Sequence, residues 1–160
     1  MPQNPIAAVE EFTRAAVRDV FNKMLRLEVK DDQAPALAPE SAGHIIGSVG
    51  FIGRATGIVY LSAGVGLARV VTGNMLGITE TEMDDGMIND AFGELSNMVV
   101  GSVKSRLSDS GWPCVLTIPS IVRVNGMQIE SAADAKRGFF AFRTAERQLI
   151  IEIAVKVPQS

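Results

Sequence analysis

The chain has 160 residues, 47% hydrophobic and 21% charged, which fits one globular domain and is wrong for a disordered chain. A net charge of -3 argues against nucleic acid as the main partner, because neutralising phosphates takes clustered Lys and Arg. Cys114 is the only cysteine and His44 the only histidine, so no intramolecular disulfide forms, and Cys and His alone cannot build an ordinary structural zinc site.

The N-terminus, MPQNPIAAVEEF, lacks a basic segment followed by a long apolar run, and no stretch approaches 18 uninterrupted apolar residues. The expectation is a cytoplasmic protein with no membrane insertion. The first element is a helix from about Pro5 to Leu27, since Ile6, Val9, Phe12, Ala16, Val17, Val20, Phe21 and Met24 recur at helical steps. Asn4 suits its cap and Pro5 its first turn. Asp31 to Ala42, with Pro35 and Pro39, reads as a loop.

Two strands follow, near His44–Ile52 and Thr56–Ser62, with glycines blurring their alternation. A short helix from Val65 to Met75 ends at Gly77. A long helix then begins at TETE, where Thr79 and Glu82 have capping-box spacing and Glu80, Asp84 and Asp85 suit a helix N-terminus. A metal site is the rival reading of these acids, but the calcium-loop pattern of alternating oxygen ligands is missing. The helix ends near Gly111.

The last third reads as strands: Val115–Val124, roughly Met127–Glu130, Gly138–Thr144 and Gln148–Val157. Asn125-Gly126 is a turn signal, and a second hairpin turns near Ala145 to Arg147. Residues 1–160 are therefore expected to form one α+β domain, a mostly antiparallel sheet covered by helices. Cys114 and His44 fall in separate strands with no motif to support a nucleophilic pair.

The long helix carries the chemistry. At about 100° per residue, Met87, Ile88, Ala91, Phe92, Leu95, Met98, Val99 and Val103 share one broad face. Asp90, Glu94, Asn97, Gly101 and Lys104 line the opposite face, with Gly86, Gly93 and Ser108 on or beside that stripe. A glycine costs roughly 1 kcal/mol against alanine in a helix. Glycines flanking an exposed carboxylate and amide suggest that another backbone must approach there. The plainer reading is a solvated polar face.

The run Asp90-Ala-Phe-Gly-Glu94-Leu-Ser-Asn97-Met-Val-Val-Gly101, with Thr117-Ile-Pro119 downstream, resembles the CheC/CheX/FliY family of chemotaxis phosphatases. The family pattern of an acid or serine, Glu four residues on, Asn three further and a later Pro matches Asp90, Glu94, Asn97 and Pro119. One such helix, rather than two, is similar to CheX, and 160 residues leave no room for the flagellar-switch domain that FliY-like proteins add. The resemblance implies a CheC/CheX-like two-layer α/β sandwich, a homodimer, and hydrolysis of the aspartyl phosphate of a CheY-like response regulator. It also implies that the receiver brings its own Mg²⁺ and lysine, so this chain binds no cofactor or metal. Asn97 would then position the attacking water and Glu94 would dock the receiver's lysine. Asp90, Gly93, Gly101 and Lys104 would meet the receiver. Two alternatives stay open: a module that binds a receiver without hydrolysing its phosphate, and a generic α/β domain with a solvated stripe.

Overall fold

In the computed structural model, residues 5–33, 36–124 and 136–157 are described. The first helix, α1 (Pro5–Val20), buries Val9, Ala16 and Val17 at the spacing its sequence announces. It widens into one π-turn, Phe21–Leu25, and stops where Arg26 adopts a left-handed backbone at φ 55°. Thr13 is fully buried on this helix, with its hydroxyl donating to Val9 O at 2.6 Å.

The strands are β1 (Lys30–Asp32), β2 (His44–Gly53), β3 (Thr56–Gly64), β4 (Cys114–Leu116), β5 (Ser120–Val124), β6 (Lys136–Thr144) and β7 (Arg147–Lys156). Among the described residues they form one seven-stranded sheet in the order β1-β6-β7-β3-β2, with β4 and β5 both paired to the remaining edge of β2. Every pairing is antiparallel. The β6–β7 hairpin turns through Ala145 and Glu146 at φ 49° and 59°, the two positive angles of a tight two-residue turn, as expected near Ala145 to Arg147.

Three sequence expectations change. The stretch read as a loop from Asp31 contains part of β1, an edge strand too short to show alternation. The single strand expected over Val115–Val124 is two strands, broken at Thr117-Ile118-Pro119. The long helix does not start at TETE. Glu80–Glu82 form one 3-10 turn, and the helix begins three residues later. The strand expected near Met127–Glu130 and the Asn125-Gly126 turn lie outside the described residues.

The helices α2 (Val65–Leu76) and α3 (Asp85–Asp109) lie with α1 against one face of the sheet. Gly77 ends α2 at φ 66°, its N–H donating to Gly73 O at 2.8 Å. Inward side chains of β2 (Ile45, Val49, Phe51) and β7 (Leu149, Ile151, Ile153) meet Phe21, Val71, Phe92, Leu95 and Val99 in one apolar core. Truncating a core phenylalanine such as the fully buried Phe92 to alanine costs about 3–5 kcal/mol. Among the described residues, the sheet's outer face exposes Ile52, Ile58, Val115, Val122 and Phe139.

Candidate functional site

The candidate site is built on α3, which packs against α1 and α2 and against β2, β4 and β5. Its N-terminus is set by Asp84, whose side chain accepts the Met87 N–H at 2.8 Å. The acids before it serve local structure. Glu82 accepts the Thr79 N–H at 3.0 Å, and that bond, with the Thr79 hydroxyl, holds the carboxyl below its usual range. Among the described residues, no group of three or more His, Cys, Asp or Glu is arranged to hold a metal ion.

Ile88, Ala91, Phe92, Leu95, Val99 and Val103 are buried on the expected apolar face. On the other side, Asp90, Glu94 and Lys104 are exposed, while Asn97 and Gly101 are half-buried. Asp90, Glu94 and Asn97 make no side-chain hydrogen bond or ion pair among the described residues. Glu94 and Asn97 stand three residues apart, so their side chains are neighbours on the helix surface. Among the described residues outside its own helix turn, a Cβ at Gly101 would meet no atom within 4 Å, so they leave the helix surface there open.

Gly93 departs from its expected place beside the exposed stripe. It is buried, and a Cβ there would stand 3.6 Å from Ile121 Cγ1. The physical reason is β5, which covers that flank of α3. A visiting backbone cannot use this glycine, whereas Gly101 remains open to one.

Two further contacts seat α3 on the sheet. Ser96 is fully buried and donates to Phe92 O at 2.9 Å, spending its hydroxyl inside its own helix. It lies over Gly47 of β2, where a side chain would collide with it. Arg123 of β5 donates from Nε to Asn89 Oδ1 at 2.8 Å and from Nη2 to Asp85 Oδ1 at 3.1 Å. Of these residues, Ser96, Asn89 and Arg123 did not stand out in the sequence, and Asp85 did so only as an acid suited to a helix N-terminus. The one available signal was a glycine inside a strand, which marks a close approach.

Beside the stripe, the break between β4 and β5 is a bulge. Phe51 pairs with Leu116 and Ser48 with Ser120, so Val49 and Gly50 face the three residues Thr117, Ile118 and Pro119. The Thr117 N–H donates to Gly50 O at 2.9 Å, and the Gly50 N–H donates back to Thr117 Oγ1 at 2.8 Å. Pro119, which has no N–H to offer a ladder, falls where the pairing is interrupted. Gly93 lies against Ile121, and Lys104 lies close enough to Cys114 for its charge to act on the thiol. In chain order the bulge lies between those two anchor points on the β4–β5 edge, as Asn97 and Gly101 lie between Gly93 and Lys104 on α3.

His44 is the first residue of β2 and Cys114 pairs with Gly53 at the other end of that strand, a separation of roughly 30 Å at strand rise. No nucleophile–base pair links them. Burial pushes the Cys114 thiol up, partly offset by Lys104. The His44 ring is occupied at Nε2 by Ala38 O, 2.9 Å away.

The family model described as chemotaxis phosphatase CheX matches residues 45–143, well over half the chain. The chain belongs to the CheX family. A comparison with curated sequences gives no significant match. Among solved structures, the chemotaxis protein CheX from Vibrio vulnificus is similar at 26% identity with a TM-score of 0.81, over 96% of this chain and 100% of that one. A CheC-like superfamily protein from a Shewanella species shares 25% identity with a TM-score of 0.79, over 93% of this chain and 97% of that one. The same fold recurs in the Borrelia burgdorferi CheX solved in complex with CheY, BeF3 and Mg²⁺, at 19% identity and a TM-score of 0.72 over 92% of this chain and 97% of that one. The α+β fold with an antiparallel sheet flanked by helices is thus the CheX two-layer sandwich. Among the described residues no helix is long and apolar enough to cross a membrane.

Proposed function

We propose that this CheX-family chain hydrolyses the aspartyl phosphate of a CheY-like receiver domain, with Asn97 positioning the water and Glu94 docking the receiver's lysine. The observation that carries the reading is the pair Glu94 and Asn97, one turn apart on α3, with neither side chain committed to a partner among the described residues. The capture of CheY by the Borrelia relative supports the choice of partner.

An acyl phosphate is already activated, and phosphoryl transfer gains mainly from positioning and charge stabilisation. A carboxamide both donates and accepts hydrogen bonds and is not repelled by an anionic phosphoryl group. It can hold a water in line with the phosphorus. The half-burial of Asn97 limits its freedom, so less entropy is lost when the water is ordered. Glu94 is an exposed carboxylate, a group suited to a cation beside the phosphoryl group. The Mg²⁺ that such chemistry uses would come with the receiver, and Asp90, Gly101 and Lys104 would border the contact.

Phosphate release from a phosphorylated receiver, wild type beside Asn97→Ala, is the test. The variant is expected to lose at least about 100-fold in rate, the scale of removing one positioned donor, with its circular dichroism unchanged. Glu94→Ala should mainly raise KM. Equal rates for wild type and Asn97→Ala overturn the assignment. A wild type that binds the receiver without accelerating release establishes the binding-module alternative. The homodimer is part of the same proposal, and a monomer by light scattering at micromolar concentration removes it.

A further inference from the structure

The bulge beside the stripe carries one side chain that the proposed chemistry does not use. Ile118 is 85% exposed, the highest value among the described large hydrophobic residues. Single exposed apolar residues are ordinary on protein surfaces. This one differs in how it is held. Thr117 is fixed to Gly50 by two hydrogen bonds, and Pro119 restricts the backbone on the other side. Ile118 and Pro119 share the place opposite Val49 of β2, at the edge of a strand against which α3 packs. In chain order it lies between the contact of Gly93 with Ile121 and the approach of Lys104 to Cys114, the same interval that holds Asn97 and Gly101 on α3.

We propose that Ile118 is an apolar anchor for the receiver, seating in a depression bordering the receiver's phosphorylated aspartate while Asn97 addresses the phosphoryl group. The proposal rests on the phosphatase reading above. The stripe itself offers the receiver two carboxylates, an amide and one lysine. Such rim charges set register and encounter rate more than affinity. An aliphatic side chain that leaves water on docking supplies affinity, and one already fixed in place loses little freedom in doing so. Gly101, open on the neighbouring helix surface, leaves room for the receiver's backbone to reach both Asn97 and Ile118.

The test is steady-state phosphate release across a range of phosphorylated-receiver concentrations, with wild type, Ile118→Ser, Ile118→Leu and Val115→Ser. Val115 is 67% exposed but belongs to the outer face of the sheet, paired with Ile52. Ile118→Ser is expected to raise KM roughly tenfold or more with kcat held within about twofold, on the scale of burying one aliphatic side chain. Ile118→Leu should stay near wild type, and Val115→Ser should match it. An active wild type whose KM is unchanged by Ile118→Ser overturns the anchor and leaves the phosphatase reading standing. So does an equal rise in KM for Val115→Ser. A wild type that releases no phosphate overturns the phosphatase reading, and the anchor with it.

Discussion

Ser96 of α3 rests directly on Gly47 of β2. A β-carbon at Gly47 would collide with Ser96 Oγ and stand 3.2 Å from Ser96 Cβ and 3.3 Å from Ile121 Cδ1. The residue after Ser96 is Asn97, so this contact sets the height at which the candidate amide stands over the sheet. Gly47→Ala is expected to destabilise the fold by about 1–3 kcal/mol, the usual scale of overpacking. It should also lower phosphate release by shifting α3. Adding Ser96→Ala removes the hydroxyl from the collision and should restore part of the stability. Chemical denaturation of the two single variants and the double measures the coupling. Strictly additive losses would show that the two residues do not share this contact.

Gly101 is the opposite case. Among the described residues outside its own helix turn, no atom lies within 4 Å of a Cβ placed there, and the position is inside a helix. Gly101→Ala should therefore stabilise the chain by up to about 1 kcal/mol through helix propensity alone. If the receiver's backbone comes close at this point, the same methyl group should impair phosphate release. Thermal melting and kinetics on one sample check both halves. A variant that is more stable and fully active contradicts the idea that the glycine is kept for a visitor.

Legibility in the sequence followed contact range. The apolar face of α3, the Gly77 stop and the β6–β7 turn depend on neighbouring residues, and their spacing shows in the chain. Glu94 and Asn97 were found from a spacing of three plus the wording around them. The burial of Gly93 was missed because it depends on Ile121, 28 positions away on an edge strand. The break in the Val115–Val124 run was missed because a bulge is defined by the register of its partner, here β2, which no local pattern records. Thr79 and Glu82 did form the expected bond, but around a single 3-10 turn. The helix took its cap from Asp84, and propensity alone did not separate the two candidate starts.

Asn97→Asp separates the roles of shape and charge at the site. The substitution keeps the size of the side chain and replaces a donor-and-acceptor amide with an anion. Beside a phosphoryl group, the anion adds repulsion and loses the donor. The loss in kcat should equal or exceed that of Asn97→Ala, at about 100-fold or more. Retained activity in Asn97→Asp would mean that position 97 works as an acceptor only, as a general base does, and the water-positioning account would need replacing.

Arg123 ties β5 to the first half of α3 through two bonds of unequal worth. Asp85 is 83% exposed, so its ion pair with Arg123 is screened and contributes at most a few tenths of a kcal/mol. The bond to Asn89 is part-buried and shorter, at 2.8 Å. A hydrogen bond to a charged donor in such a place contributes about 1.5 kcal/mol. Asn89→Ala should therefore cost more stability than Asp85→Asn. Raising the salt concentration should erase the small effect of Asp85→Asn and leave most of that of Asn89→Ala. Denaturation midpoints at two ionic strengths give the comparison. Equal losses for the two variants would contradict this ranking by burial.

Cys114 gives a prediction in pH. Burial raises its thiol above the ordinary value of about 8.5, and the nearby Lys104 offsets part of that rise. In the unfolded chain the thiol loses its proton first. Its contribution to stability is therefore fully present below the unfolded pKa and is lost as pH rises through the folded one. Between about pH 7 and pH 9.5, wild type should lose more stability than Cys114→Ala, whose other titrating groups are the same. Lys104→Met removes the offset, so the folded thiol should move further up and the alkaline loss should steepen. Iodoacetamide labelling offers an independent reading: the native thiol should react far more slowly than the unfolded one near pH 8, because the thiolate is the nucleophile and both burial and the raised pKa withhold it. Matching alkaline slopes for wild type and Cys114→Ala would show that the thiol ionises alike in both states, and that its burial carries no linkage to folding.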